Sequence, residues 1–134
     1  MNIERFEDLE AWQAARGLTN LVYDMTQGHG FGRDYRLRDQ ITGASISIMN
    51  NIAEGLTSQS DSEFIRFLRY SRRSTAELQT CLYVALDRQY IAEESFKAGY
   101  EQAERTRQII DGLLRYLRRS RRPRRSKRVI SVTG

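Results

Sequence analysis

The chain has 134 residues, of which 40% are apolar and 10% aromatic, and it carries a formal charge of +5. That length and apolar content suit one compact domain and argue against a chain that is disordered throughout. A single cysteine, Cys81, excludes an intrachain disulfide, and a single histidine, His29, excludes a site built on several imidazoles of one chain.

The beginning of the chain gives no sign of export or membrane insertion. Residues 1–8 are acidic overall and lack the apolar core that a signal peptide carries. No run in the sequence approaches the ~18 apolar residues that a membrane-spanning helix needs. We therefore expect a soluble, cytoplasmic protein with no membrane partner.

Apolar residues recur at helical spacing in four stretches, which cover residues 9–25, 37–52, 64–85 and 96–117. Alternation with a period of two is not sustained anywhere, so strands have little support. Short connections between consecutive helices favour antiparallel neighbours. The sequence thus predicts an all-α fold, an antiparallel up-down-up-down four-helix bundle that occupies residues 1–117.

Turn and capping residues mark the predicted helix boundaries. Residues 26–33 are rich in glycine and predict a turn, after which Asp34 can cap the second helix. Gly55 suits the left-handed position that ends a helix, so we predict that the second helix stops there. Side chains that can cap the third helix follow at Ser58, Ser60 and Asp61.

The second predicted helix has no charged residue from Gln40 to Ala53. A surface helix ordinarily places charges on its outer face. One explanation is a central helix that its own bundle surrounds. The other is burial in a subunit interface, since a four-helix bundle usually leaves every helix one wet face. On the second explanation the sequence predicts self-association through Ile41, Ala44, Ile46, Met49 and Ala53.

A group of polar residues lies at the end of the second helix and within the third, at Asn51, Glu54 and Glu77. Such a group could act as acid–base machinery. The alternative is a structural polar network with Arg72 or Ser74 that fixes the register between helices. We favour the network, because no nucleophile or metal ligand accompanies these side chains.

The histidine count also bears on metal chemistry. Ferritin-like bundles bind two metal ions with Glu-x-x-His motifs on two helices, and the one histidine of this chain lies in the glycine-rich turn. That turn does not match a phosphate-binding glycine motif either. We predict no catalytic residue, no metal and no other cofactor.

The last part of the chain, residues 118–134, is strongly cationic, and we call it the basic arm. Self-repulsion predicts that the arm is disordered. It can neutralise phosphates of RNA or DNA, with little sequence preference because no aromatic residue follows Tyr116. The alternatives are a solvated tail that only aids solubility and attraction to anionic lipid. The predicted nucleic-acid-binding residues are Arg118, Arg119, Arg121, Arg122, Arg124, Arg125, Lys127 and Arg128.

The positive charge is unevenly distributed along the chain. Residues 1–111 contain 13 basic and 17 acidic residues, whereas residues 112–134 contain nine basic and no acidic residues. The sequence therefore indicates an acidic bundle with a cationic arm, and any anion-binding function belongs first to the arm.

Three segments resemble one known family. Residues 6–16 are similar to its entry helix, F-x-D-L-x-x-W-x-x-A, and residues 39–55 to its central signature, which ends in S-I-x-x-N-I-A-E-G. Residues 63–78 match its third-helix pattern. The family is the four-helix-bundle family that includes proteins encoded by intervening sequences in large-subunit ribosomal RNA genes. It is related to the accessory variability protein of diversity-generating retroelements.

The resemblance implies a small helical cytosolic protein that forms a ring-shaped homopentamer and has no established enzymatic activity. Relatives that act in retroelements associate with nucleic acid and with a reverse transcriptase, so it also implies these two kinds of partner. Combined with the basic arm, it leads us to predict a non-enzymatic homo-oligomer that binds RNA or DNA. The alternatives are a structural adaptor that recruits a protein partner and an enzyme that uses Asn51, Glu54 and Glu77.

Overall fold

The computed structural model describes residues 3–120, and this part of the chain is helical without a strand. The predicted all-α fold class is therefore confirmed. A 3₁₀ turn precedes four long helices and one short helix. Their bounds are Phe6–Asp8 for the turn, Glu10–Met25 for α1, His29–Arg33 for α2, Tyr35–Thr57 for α3, Asp61–Asp87 for α4 and Glu93–Ser120 for α5.

The four long helices pack side by side, with α3 against α4, α4 against α5, and α1 against both α3 and α5. The two helices of the α3–α4 pair run in opposite directions, and so do those of the α4–α5 pair, because residues late in one helix contact residues early in the next. Both pairs are therefore antiparallel. The contacts are Gly55 with Phe64, Ser47 with Ser74, Gln79 with Glu104, and Arg72 with Asp111.

The predicted caps of α3 and α4 are confirmed. Asp34 Oδ1 accepts a hydrogen bond of 3.1 Å from the backbone N–H of Leu37. Ser60 Oγ accepts one of 3.2 Å from the backbone N–H of Glu63. Each side chain satisfies a first-turn N–H group that the helix itself cannot pair.

The glycine-rich segment is more ordered than the sequence suggested, because His29–Arg33 form the single helical turn α2. Phe31, in the middle of this turn, is fully buried and stacks on Tyr90 with 5.6 Å between ring centroids. The Tyr90 hydroxyl donates a 3.0 Å hydrogen bond to Asp34 Oδ2. Burial of one large aromatic side chain thus stabilises a segment whose glycines alone indicated only a turn.

Gly55 does not end α3, which continues to Thr57. Its role is close packing instead of a left-handed turn. A Cβ atom at this position would lie 2.6 Å from Phe64 Cδ1 and 3.2 Å from Phe67 Cβ. Phe64 is fully buried, so its ring has no open space to move into. The absence of a side chain at Gly55 therefore lets α3 and α4 approach each other.

We expect Gly55→Ala to destabilise the fold by about 1–3 kcal/mol, because the added methyl group overpacks the α3–α4 contact. Gly43 on the same helix is a matched control, since a Cβ there meets nothing within 4 Å. Gly43→Ala should stabilise the fold by about 0.5–1 kcal/mol through helix propensity alone. Urea unfolding of both variants measures the difference, and equal stability of the two would contradict the packing role.

The uncharged helix predicted from residues 40–53 lies within α3, and the structure divides its predicted interface residues into two groups. Ile41 and Ala44 are buried in the core of the single chain, with exposed fractions of 0% and 3%. They therefore belong to the core of the single chain and offer no exposed surface to a second subunit, and the interface itself stays a prediction. Ile46 is 40% exposed, and Met49 and Ala53 are half-buried. These three residues lie at the surface of the single chain, and self-association through them stays a prediction.

Candidate functional site

The predicted polar network is present only in part. Asn51 Nδ2 donates to the Ser47 backbone carbonyl at 2.9 Å and to Ser47 Oγ at 3.1 Å. Ser74 Oγ pairs with Ser47 Oγ at 3.1 Å, so the predicted partner Ser74 is reached through Ser47. Glu54 and Glu77 are exposed and lie outside this chain of hydrogen bonds. Ser47 thus links α3 to α4 and also holds Asn51 within α3, and the two glutamates do not join them in an acid–base group.

The basic arm lies mostly outside the described residues. α5 extends past Leu117 to Ser120, so Arg118 and Arg119 are exposed residues of its last turn. The other six predicted binding residues, Arg121, Arg122, Arg124, Arg125, Lys127 and Arg128, are not among residues 3–120.

A cleft of about 680 Å³ lies between α4 and α5, and of the eight residues within 3–120 that line it, five are arginines. We call it the arginine cleft. Among residues 3–120, Asp111 is the only acidic residue that lines it, so this lining is strongly positive although residues 1–111 are acidic overall. The lining residues are Arg69, Arg72, Arg73 and Ala76 of α4, and Asp111, Leu114, Arg115 and Arg118 of α5.

Helical spacing places these arginines together. Arg69, Arg72 and Arg73 are three and four positions apart, so they share one side of α4. Arg115 and Arg118 are three positions apart on α5 and face the same seam. Because α4 and α5 are antiparallel, the start of α4 meets the end of α5, and the two sets lie on opposite walls of the cleft.

Polar contacts within α5, and between α4 and α5, converge on Asp111 and on its neighbour Arg107. Arg72 Nε donates to Asp111 Oδ1 at 2.7 Å, and Arg107 Nη1 donates to Asp111 Oδ2 at 2.8 Å. Arg107 also pairs with Glu104 at 2.9 Å, and Gln79 Nε2 donates to the same carboxylate at 2.9 Å. Asp111 therefore holds Arg72 of α4 at the wall of the cleft, and Arg107 of α5 holds Asp111 in place.

The remaining four arginines of the cleft keep their charge available. None of the ion pairs among residues 3–120 involves Arg69, Arg73, Arg115 or Arg118. All four arginines are exposed to solvent. An anion that entered the cleft would therefore meet guanidinium groups with free hydrogen-bond donors.

The Glu104 contact predicts a pH dependence of stability. Hydrogen bonds from Arg107 and then Gln79 lower the pKa of Glu104 from 4.5 to about 2. A lowered pKa in the folded state stabilises the fold above pH 4.5, and this contribution is lost as the pH falls through about 2. The side chain is 35% exposed, so solvent screening reduces the contribution to about 1 kcal/mol.

We expect the melting temperature of the wild type to fall between pH 4.5 and 2 by about 3 °C more than that of Glu104→Gln. Glu101→Gln is the control, because Glu101 is an exposed carboxylate on the same helix. It should follow the wild-type curve. Thermal denaturation from pH 2 to 7 measures the three curves, and identical curves for wild type and Glu104→Gln would contradict the assignment.

Other kinds of site find little support in this part of the chain. Within residues 3–120, no group of three or more His, Cys, Asp or Glu side chains could hold a metal ion. No helix of the same range is long and apolar enough to span a bilayer. Cys81 is buried, and this burial raises the pKa of its thiol. Its low thiolate fraction makes it a packing residue and not a nucleophile.

The arginine cleft was not predicted from the sequence. The signal was the spacing of Arg69, Arg72 and Arg73, which marks one basic stripe on the third predicted helix. Acidic residues outnumber basic ones within residues 1–111, so the net charge of this range gave no indication of a basic surface. A net charge does not report where the charges lie. Combining that stripe with the antiparallel pairing of the last two helices would have placed it opposite Arg115 and Arg118.

Comparisons with known proteins agree with this architecture. The family model described as 23S rRNA-intervening sequence protein matches residues 7–112. No curated protein matches the chain. A similar fold occurs in the 1.70 Å crystal structure of a protein of unknown function from the S23 ribosomal protein family of Bacteroides thetaiotaomicron VPI-5482. That structure has a TM-score of 0.66 and 19% identity, over 78% of this chain and 94% of the other. With four-fifths of its length matched by the family model, the chain belongs to the 23S rRNA-intervening sequence protein family.

Proposed function

We propose that this chain binds RNA or DNA non-specifically, through the basic arm together with the arginine cleft. The proposal rests on one observation, the cluster of five arginines where α5 approaches its end. Arg118 lines the cleft and is also the first residue of the arm, so the basic surface of the bundle leads into the most cationic part of the sequence.

The chemistry of this surface suits the phosphate backbone. Guanidinium groups form paired hydrogen bonds with phosphate oxygens, and they stay charged at all physiological pH values. Neutralised phosphates release their counterions, which makes binding favourable and strongly dependent on salt. Hydrogen bonds to phosphate oxygens and neutralisation of phosphate charge do not involve the bases, so we propose that binding has little preference for nucleotide sequence.

We also propose that the chain acts as a homo-oligomer and not as an enzyme. Ile46 leaves an apolar side chain 40% exposed on the uncharged side of α3, with Met49 and Ala53 beside it. A pentameric ring, which the family resemblance implies, would carry five arms. Arms linked in one assembly bind a long nucleic acid with raised effective concentration.

A second candidate function is an adaptor that recruits a protein partner, such as a reverse transcriptase. The observation that favours it is an aromatic surface at the other end of the α4–α5 seam. Tyr83 and Val84 are 50% and 41% exposed, and the Tyr83 ring lies 4.9 Å from Phe96 and 5.8 Å from Tyr100 between centroids. Such a surface suits a partner protein better than a phosphate backbone.

Fluorescence anisotropy with labelled RNA and DNA oligonucleotides at low salt tests the proposal. The full chain should bind several unrelated sequences with similar affinity, and a chain that ends at Leu117 should bind them far more weakly. Equal binding by both chains would contradict a role for the arm. No binding by the full chain would overturn the nucleic-acid function and leave the adaptor.

A further inference from the structure

An exposed aromatic ring adjoins the arginine cleft. Tyr70 of α4 is 37% exposed, and the guanidinium carbon of Arg73 lies 5.7 Å from the centroid of its ring. Arg73 also lines the cleft. The same arginine therefore joins a phosphate-binding surface to an aromatic one.

The aromatic surface extends by one further ring. The centroids of Phe67 and Tyr70 are 6.1 Å apart, with the rings edge to face, and Arg66 lies over Phe67 at 5.4 Å. Phe67 and Arg73 therefore both pack against the Tyr70 ring. The Tyr70 ring is thus supported in place while part of its surface stays open to solvent.

We propose that the arginine cleft binds single-stranded nucleic acid, with phosphates at Arg69, Arg73 and Arg115 and an unpaired base stacked on Tyr70. This inference rests on the proposed function and names the class of its ligand. Bases of a single strand expose their faces, and aromatic side chains next to a cationic groove bind them by stacking. The arm has no aromatic residue after Tyr116, so only the folded bundle can supply this contact.

A duplex would use the same surface differently. Its base faces are stacked inside the helix, so Tyr70 could contribute nothing by stacking and only the arginines would bind. The cleft itself lies between two adjacent helices, whose axes typically run about 8–10 Å apart. That spacing suits the backbone of one strand.

The test compares three labelled DNA probes of equal length: a thymidine strand, an abasic strand with the same backbone, and a hairpin duplex whose loop is abasic. Tyr70→Ala in the full chain should weaken binding of the thymidine strand about tenfold, the scale of one stacked base. It should leave the affinity for the abasic strand and for the hairpin unchanged, and Tyr70→Phe should bind all three probes with wild-type affinity. Arg69→Ala/Arg73→Ala should weaken binding of all three.

Tyr35→Ala is the matched control. Tyr35 is 63% exposed and carries Arg38 at 4.7 Å from its ring centroid, but it lies at the start of α3 and does not line the cleft. Its loss should change none of the affinities. Equal weakening of the thymidine and abasic strands by Tyr70→Ala, or no weakening of either, would overturn the stacking proposal while wild-type binding of nucleic acid stands. Failure of the wild type to bind any probe would instead overturn the proposed function and the stacking proposal together.

Discussion

A chain that ends at Leu117 is expected to bind an RNA oligonucleotide at least 100-fold more weakly than the full chain at 50 mM salt. The truncation removes all eight predicted binding residues of the arm. Residues 1–117 that remain hold 14 basic and 17 acidic residues, so the shortened protein is an anion overall. The arginine cleft keeps only Arg69, Arg72, Arg73 and Arg115, and Arg72 is neutralised by Asp111 at 2.7 Å.

Two further chains separate charge from length and from folding. A chain that ends at Ser120 keeps α5 to its observed end, with Arg118 and Arg119, and it should bind with intermediate affinity. A full-length chain with glutamine at the six basic positions after Ser120 keeps the length but loses the charge. It should bind like the chain that ends at Ser120. If the glutamine chain binds like the wild type, the charge of the arm is not the cause of binding.

Ile46→Glu is expected to convert the assembled protein to single chains. Ile46 is 40% exposed in one chain, so a glutamate there can reach water and the bundle should still fold. In an interface, the same carboxylate would be buried without a partner, which costs several kcal/mol. Met49 is less suitable for this test, because Thr19 Oγ1 lies 3.2 Å from its sulfur and a charge there would disturb the packing of α1 on α3.

Light scattering measures the outcome against the 15.6 kDa mass of one chain. The wild type should have a mass several times larger, and Ile46→Glu a mass near that of one chain. Tyr23→Glu is the control, since Tyr23 is 42% exposed on α1, outside the predicted interface of α3, and its substitution should leave the mass unchanged. A wild-type mass of one chain would contradict self-association outright.

The sequence predicted the helices well, since the periodicity of apolar residues reports directly on which side of each helix is buried. The caps at Asp34 and Ser60 followed from side chains that can pair with nearby N–H groups. Both signals are local, so neither needs knowledge of the fold. This is why the order of the four long helices and the starts of α3 and α4 could be predicted.

Features that depend on packing between helices could not be predicted in the same way. Gly55 was expected to end a helix, whereas the nearby ring of Phe64 shows that it permits a close approach. Ile41 and Ala44 were grouped with Ile46 because all are apolar, although only the register of α3 decides which of them face the core. The arginine cleft needs the α4–α5 register as well, because its walls come from segments about forty residues apart.

The most direct test of nucleic-acid binding through the basic arm and the arginine cleft is the salt dependence of RNA binding by the full chain. For a single strand, the slope of the logarithm of the association constant against that of the salt concentration is about −0.7 per phosphate contact. Engagement of the arm and the arginine cleft, with six or more contacts, predicts a slope of about −4 or steeper. A slope between about 0 and −1 would mean at most one phosphate contact, and it would contradict binding through the basic arm.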